Sequence, residues 1–307
     1  VLHHTGMILA LLGGTMLFPI VFVLVDGEFR RDAGTLGGFL FPAVLAAATG
    51  LLLHRLFRER RVTTIRAILV TGAGWAACSA FGAMPFAHAF GMSYLDAYFE
   101  SMSGFTTTGI TMLRGLDEMP RSILFWRSLM QWLGGLGILT FFLAFAYKGS
   151  GAHYLYGAES HKVGVDRPVP GLRNTLMIFL GIYAGFTLIV AVLLAASGVT
   201  LFDSLCHALT SLATGGFSTH DASVAFFRES GHPRHILIEY IIIAGMLLGG
   251  INFVVHYRLI HGSRRALADN TEMKHWWGIL GGAVLLVLVE RCWRMGAVGG
   301  DLLSAGF

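Results

Sequence analysis

Two short stretches of this chain carry groups suited to holding a bare cation. Residues 105–111 read FTTTGIT, and residues 212–219 read LATGGFST. A monovalent cation that sheds its water must have the lost oxygens replaced, and pores do this with rings of backbone carbonyls and threonine hydroxyls. Such a ring needs backbone whose carbonyls all face one way, and glycine relieves the steric penalty of that conformation. Threonine beside glycine therefore both supplies oxygens and presents them. Placing Gly109 on Gly216 also brings Thr107 onto Thr214 and Ile110 onto Phe217, an offset of 107 residues. One such cluster is a weak indication; two copies in matching surroundings are a strong one.

The surroundings do match. Each cluster follows an amphipathic, helix-like stretch too short to cross a bilayer, YLDAYFESMSG (94–104) and LFDSLCHALTSLA (201–213). A short helix, a polar turn and a return describe a re-entrant loop. Non-helical backbone is tolerated at membrane depth only where it is buried in protein or lines water. The short helix also aims its negative C-terminal end at the turn, which favours a cation there.

The rest of the chain reads as membrane-embedded. It is 55% hydrophobic and only 13% charged, against about 25% charged in soluble domains. Seven apolar stretches approach the roughly 20 residues that a crossing needs: 5–25, 38–54, 67–89, 122–147, 173–197, 236–257 and 276–293. Forty glycines suit close helix packing in lipid. Positive charge sets orientation. Arg55, Arg58, Arg60, Arg61 and Arg66 fill one connection; Lys148, Lys162, Arg167 and Arg173 a second; Arg258, Arg264, Arg265 and Lys274 a third. The opposite connections hold only the pairs Arg30/Arg31, Arg114/Arg121, Arg228/Arg234 and Arg291/Arg294. The first set, and the N-terminus with it, is expected to face the cytoplasm.

The flanking spans recur with the clusters, 67 with 173 and 122 with 236, which makes an internal repeat of span, short helix, polar turn and span. The expected division is two accessory helices over 1–66, one repeat over 67–150, a second over 170–262, and the start of a third over 275–307. DLLSAGF at the end resembles the start of another short helix, so the chain is expected to stop inside its third repeat.

At this point a resemblance becomes specific. SGFTTTGIT (103–111) and LATGGFSTHD (212–221), followed by RSLMQWLGGLGI (127–138) and GGINFVVHY (249–257), resemble the TrkH/KtrB/HKT superfamily of potassium transporters, its TrkH branch most of all. The resemblance covers nearly the whole chain. It implies an all-α membrane protein with helix–pore loop–helix units around a pseudo-fourfold pore, preceded by two extra N-terminal helices. It implies potassium uptake across a bacterial inner membrane, with potassium as transported substrate and no organic cofactor. Two polypeptides would form a homodimer, regulated by a cytoplasmic nucleotide-binding subunit of the TrkA/KtrA type. The filter residues would be Thr107, Thr108, Gly109 and Ile110 with Thr214, Gly215, Gly216 and Phe217. Of these, Thr107, Thr108, Thr214 and Gly215 would be the potassium ligands. Glycine at 109 and 216 implies preference for potassium over sodium.

Other residues admit more than one reading. Arg127 lies inside an apolar stretch, where a charge marks either function or a snorkelling side chain. Asp117, Glu118 and Asp221 follow the clusters and would either draw cations to a mouth or sit as solvated loop charges. Glu239 and Glu290 read as interfacial, and Cys78, Cys206 and Cys292 as packing residues. Thirteen histidines show no metal-ligand spacing. Ser218 near His220 admits an intramembrane serine protease, but residues two apart rarely face each other, and Ser218 aligns with Thr111. A non-transporting membrane scaffold is the third alternative.

Overall fold

The computed structural model describes residues 1–31, 33–58, 63–137, 172–263 and 271–297. All regular structure among the described residues is helical. It falls into two units, 1–254 and 255–307.

The first unit opens with α1 (Leu2–Thr15) and α2 (Ile20–Val25), with Pro19 capping α2. Proline lacks an N–H and suits a helix start, so the first apolar stretch is two helices rather than one. The short α3 (Glu28–Arg31) leads into α4 (Ala33–Leu56). The α1–α4 pair is built on small residues. A Cβ on Gly6 would overlap the Gly50 carbonyl, one on Gly13 the Ala43 carbonyl, and one on Gly50 the backbone of Ala10. These backbones touch because no side chain stands between them.

Then come α5 (Thr64–Phe90), ended by left-handed Gly91, the twelve-residue α6 (Tyr94–Phe105) and α7 (Arg121–Leu136). The pattern returns in α8 (Leu172–Ala196), the twelve-residue α9 (Leu201–Leu212) and, after a short turn α10 (Phe226–Glu229), α11 (His235–Gly250). Helix α6 packs between α5 and α7, and α9 against α7, α8 and α11. Apolar side chains on the outer faces, among them Phe41, Leu52, Ile65, Leu188 and Ile236, remain exposed, as lipid-facing residues should.

Among the described residues, five helical segments are long and apolar enough to cross a membrane: Leu2–Val25, Gly34–Leu56, Ile65–Ala89, Asn174–Ala196 and Met273–Cys292. The expected span at 236–257 is not one continuous helix. It stops at Gly250, Ile251 is extended, and α12 (Phe253–Ile260) starts anew. Asn252 begins it as a cap, its Oδ1 accepting from Val254 N at 3.1 Å. The expected span at 122–147 is described only through Gly137, and the basic connection around Lys148, Lys162 and Arg167 lies outside the described residues. Beyond α12, the second unit contains α13 (Thr271–Ala297). Cys78 and Cys206 are buried, whereas Cys292 is exposed.

Candidate functional site

The two short helices begin alike. Ser93 Oγ accepts from Asp96 N at 3.2 Å and donates to Asp96 Oδ2 at 2.7 Å. Thr200 does the same for Asp203, at 3.1 and 2.7 Å. Each cap satisfies an orphan N–H, and each aspartate favours the positive end of its helix.

They also end alike. Thr107 N donates to Gly104 O and Thr108 N to Ser103 O, both at 3.0 Å; Thr214 N donates to Ser211 O at 3.0 Å and Gly215 N to Thr210 O at 2.9 Å. This double closure normally puts glycine at the left-handed position. Here threonine holds it, with φ of 54° at Thr107 and 52° at Thr214. A non-glycine residue pays about 1–2 kcal/mol for that conformation, and such strain gathers at functional positions. Positive φ then recurs at Gly109 (78°) and Gly216 (84°). The closure spends the N–H groups of Thr107, Thr108, Thr214 and Gly215 on helix carbonyls.

Two of the threonine hydroxyls are engaged with each other. The Thr106 and Thr108 hydroxyls share a hydrogen bond at 2.7 Å, and Thr106 Oγ1 donates to Met102 O. Each helix end also rests on a glycine of a later helix: a Cβ on Gly134 would overlap the Phe105 carbonyl, and one on Gly249 the Leu212 carbonyl.

The structure brings the two stretches into contact. A Cβ on Gly109 would collide with the Gly215 carbonyl. Thr108, Ile110, Thr214 and Gly216 are exposed, whereas Gly215 and Phe217 are buried. The Gly215 oxygen already accepts from Gln131 Nε2 at 2.8 Å, so one of its two lone pairs is committed.

Behind the stretches lies a buried ion pair. Arg127 and Glu100 are 1% and 0% exposed, with Arg127 Nε donating to Glu100 Oε1 at 2.8 Å. The guanidinium also donates to Thr111 Oγ1 at 3.0 Å and to Ser218 O at 2.9 Å, and its Cζ lies 4.2 Å from the centre of the Phe217 ring. Glu100 accepts from Thr111 Oγ1 at 3.0 Å and from Met112 N at 2.8 Å. Arg127 thus ties one short helix to the C-terminal ends of both clusters. Glu100 was not anticipated; its position in the short helix is equivalent to His207.

Of the acidic residues after the clusters, Asp117 and Asp221 act as pins rather than free charges, whereas Glu118 is exposed. Asp221 accepts from Gly115 N at 3.0 Å and Leu116 N at 3.1 Å. Asp117 accepts from Asp221 N at 3.3 Å and pairs with His220 Nδ1. His220 Nε2 sits 3.6 Å from Asp203 Oδ1, and its ring stacks on Phe226 with centroids 3.5 Å apart. The Ser218 hydroxyl accepts from the His220 backbone N–H, not from its ring, which removes the geometry a protease dyad requires. Glu239 pairs with Arg228 at 2.6 Å.

Burial opposes charging of His220, but Asp203 and Asp117 outweigh it and raise its pKa. The His220 contact lowers that of Asp117. Burial pushes Asp203 upward, yet hydrogen bonding with His220, Thr200 and Thr219 leaves it lowered. Stability from His220 is therefore full below its unfolded pKa of about 6.5 and lost as pH rises through the raised folded value. Stability from the carboxylates is present above about 3.9 and lost as pH falls through their lowered folded values. Hydrogen-exchange protection of amides 115–117 and 219–221 is expected to be greater at pH 6 than at pH 8.5. His220→Gln should erase the difference. Equal protection in the unsubstituted protein would refute the assignment.

The family model described as "TrkH: Cation transport protein" matches residues 40–288. The Trk system potassium uptake protein TrkH of Salmonella typhimurium is 33% identical over 261 residues, 84% of this chain and 52% of that protein. TrkI of Halomonas elongata is 32% identical over 285 residues, 91% of this chain and 55% of that protein. A crystal structure of the potassium transporter TrkH from Vibrio parahaemolyticus superposes with a TM-score of 0.76 at 30% identity, covering 94% of this chain and 57% of that one. The chain spans about half the length of the curated relatives it matches. A family match over most of the sequence, joined to the same helical architecture, means that the chain belongs to the TrkH family of cation transport proteins.

Proposed function

We propose that this chain conducts potassium through a membrane as part of a TrkH-type uptake protein. The observation that carries the reading is the contact between two strained Thr/Gly turns, each at the C-terminal end of a short helix. Their carbonyls form adjacent parts of one cation filter. Thr107, Thr108, Gly109 and Ile110 supply one part, and Thr214, Gly215, Gly216 and Phe217 the other. The relatives named for potassium uptake support the choice of ion. Under this reading residues 1–66 are accessory, 67–150 and 170–262 are pore repeats, and 275–307 begin a third in a pseudo-fourfold arrangement. The protein sits in a bacterial inner membrane with its N-terminus in the cytoplasm, as a homodimer gated by a nucleotide-binding subunit of the TrkA/KtrA type. Passage needs no covalent chemistry.

The test is growth of a potassium-uptake-deficient bacterium at low potassium. The full-length gene product is expected to restore growth and to take up rubidium. Failure to do either, at a membrane abundance where a working TrkH control succeeds, overturns the reading.

A further inference from the structure

We propose that Gln131 of α7 is a positioning residue that holds the second filter turn in its potassium-selective shape. The proposal rests on the potassium-uptake reading above. Gln131 is wholly buried and uses both ends of its amide on one piece of backbone. Nε2 donates to Gly215 O at 2.8 Å, and Oε1 accepts from Phe217 N at 3.1 Å. A primary amide carries a donor and an acceptor side by side, so it meets this backbone as a neighbouring strand would. Gly215 has no side chain because Gln131 fills that place: a Cβ there would overlap the amide.

The contact belongs to a ladder. Residues four apart lie on one face of a helix, and α7 presents Arg127, Gln131 and Gly135 in that spacing. Gly135 admits Ala213 against the helix backbone. Gln131 holds Gly215 and Phe217, and Arg127 holds Ser218 O. The face of α7 thus registers the second turn from 213 to 218, reaching it from the preceding repeat. The corresponding face of α11 differs. Gly134 and Gly249 occupy equivalent seats under the two short helices, which places Ile242 and Met246 where α7 has Arg127 and Gln131. Of these two helices, α7 alone carries the polar template. A filter selects by the number and arrangement of its carbonyls, so a Gly215 carbonyl released from Gln131 loosens selection before it stops conduction.

The experiment compares rubidium uptake by the full-length protein with and without excess sodium, at measured membrane abundance. Gln131→Leu keeps the bulk of the side chain and removes both hydrogen bonds. It is expected to reduce the rubidium preference over sodium about tenfold or more, with rubidium uptake in the absence of sodium reduced much less. Gln131→Glu keeps the acceptor and loses the donor to Gly215; it carries the same expectation if the leucine variant fails to reach the membrane. Met246→Leu, at the equivalent seat on α11, should leave the preference unchanged. Preserved preference in either Gln131 variant, or equal proportional loss for both ions, overturns the role. If the unsubstituted protein takes up no rubidium, the potassium reading itself has failed, and that outcome is distinguishable from the others.

Discussion

Gly109→Ala is expected to abolish most rubidium uptake while Thr108→Val leaves a large part of it. The alanine Cβ would run into the Gly215 carbonyl, and the backbone there has a φ of 78°. The left-handed conformation costs a side-chain-bearing residue about 1–2 kcal/mol. Overpacking against a fixed neighbour adds about 1–3 kcal/mol. Each ~1.4 kcal/mol is a factor of ten, so a fall of at least about tenfold is the minimum expectation. Gly109→Ser should in addition weaken discrimination against sodium. Thr108 differs because its hydroxyl is bonded to Thr106 and its backbone remains available after substitution. Uptake measured at matched membrane abundance decides the matter. Equal losses at the two positions would mean that hydroxyls, rather than carbonyls, hold the ion.

The second large effect concerns the buried pair. Removing one partner of a buried salt bridge costs about 3–5 kcal/mol, because the other charge is left without compensation. Arg127→Met strands Glu100 and also removes the donors to Ser218 O and Thr111. The variant is expected to unfold at a clearly lower temperature in detergent and to reach the membrane poorly. Glu100→Gln combined with Arg127→Met removes both charges, and its thermal midpoint should lie well above that of the arginine variant alone. Additive losses from the two substitutions would show that the groups do not act as a pair.

How much of this was legible in the sequence depended on where the partner of each residue lay. The turns at 107–109 and 214–216 stood out because the chain states them twice, and the caps Ser93 and Thr200 sit at equivalent places before them. Arg127 was visible as a charge in an apolar stretch, but its role was not. Glu100 reads as one polar residue on an amphipathic helix, and only folding brings it to Arg127. Gln131 was equally silent, since its partners Gly215 and Phe217 come from the next repeat. Asp117 and Asp221 read either as charges drawing cations to a mouth or as solvated loop charges, and only folding brings together the loops that they pin. The break at Ile251–Asn252 was legible in hindsight, because two glycines followed by a capping asparagine end one helix and begin another. Continuous hydropathy across 236–257 hid it.

The contact at Gly109 has a direction. The α-carbon at one position of the first turn meets a carbonyl one position earlier in the second, since Gly215 corresponds to Thr108. The surfaces that meet are unlike, as in head-to-tail association, and no twofold axis relates them. Unlike surfaces joined in this way give a ring where the rotation closes on itself and an open helical array where it does not. Under the filter reading proposed above, the two turns are one step of a cyclic order, with a leading edge at Gly216 and a trailing edge at the Thr108 carbonyl. On that reading each edge pairs with the opposite edge of a neighbouring turn, so the turns share one handed sense around the ion.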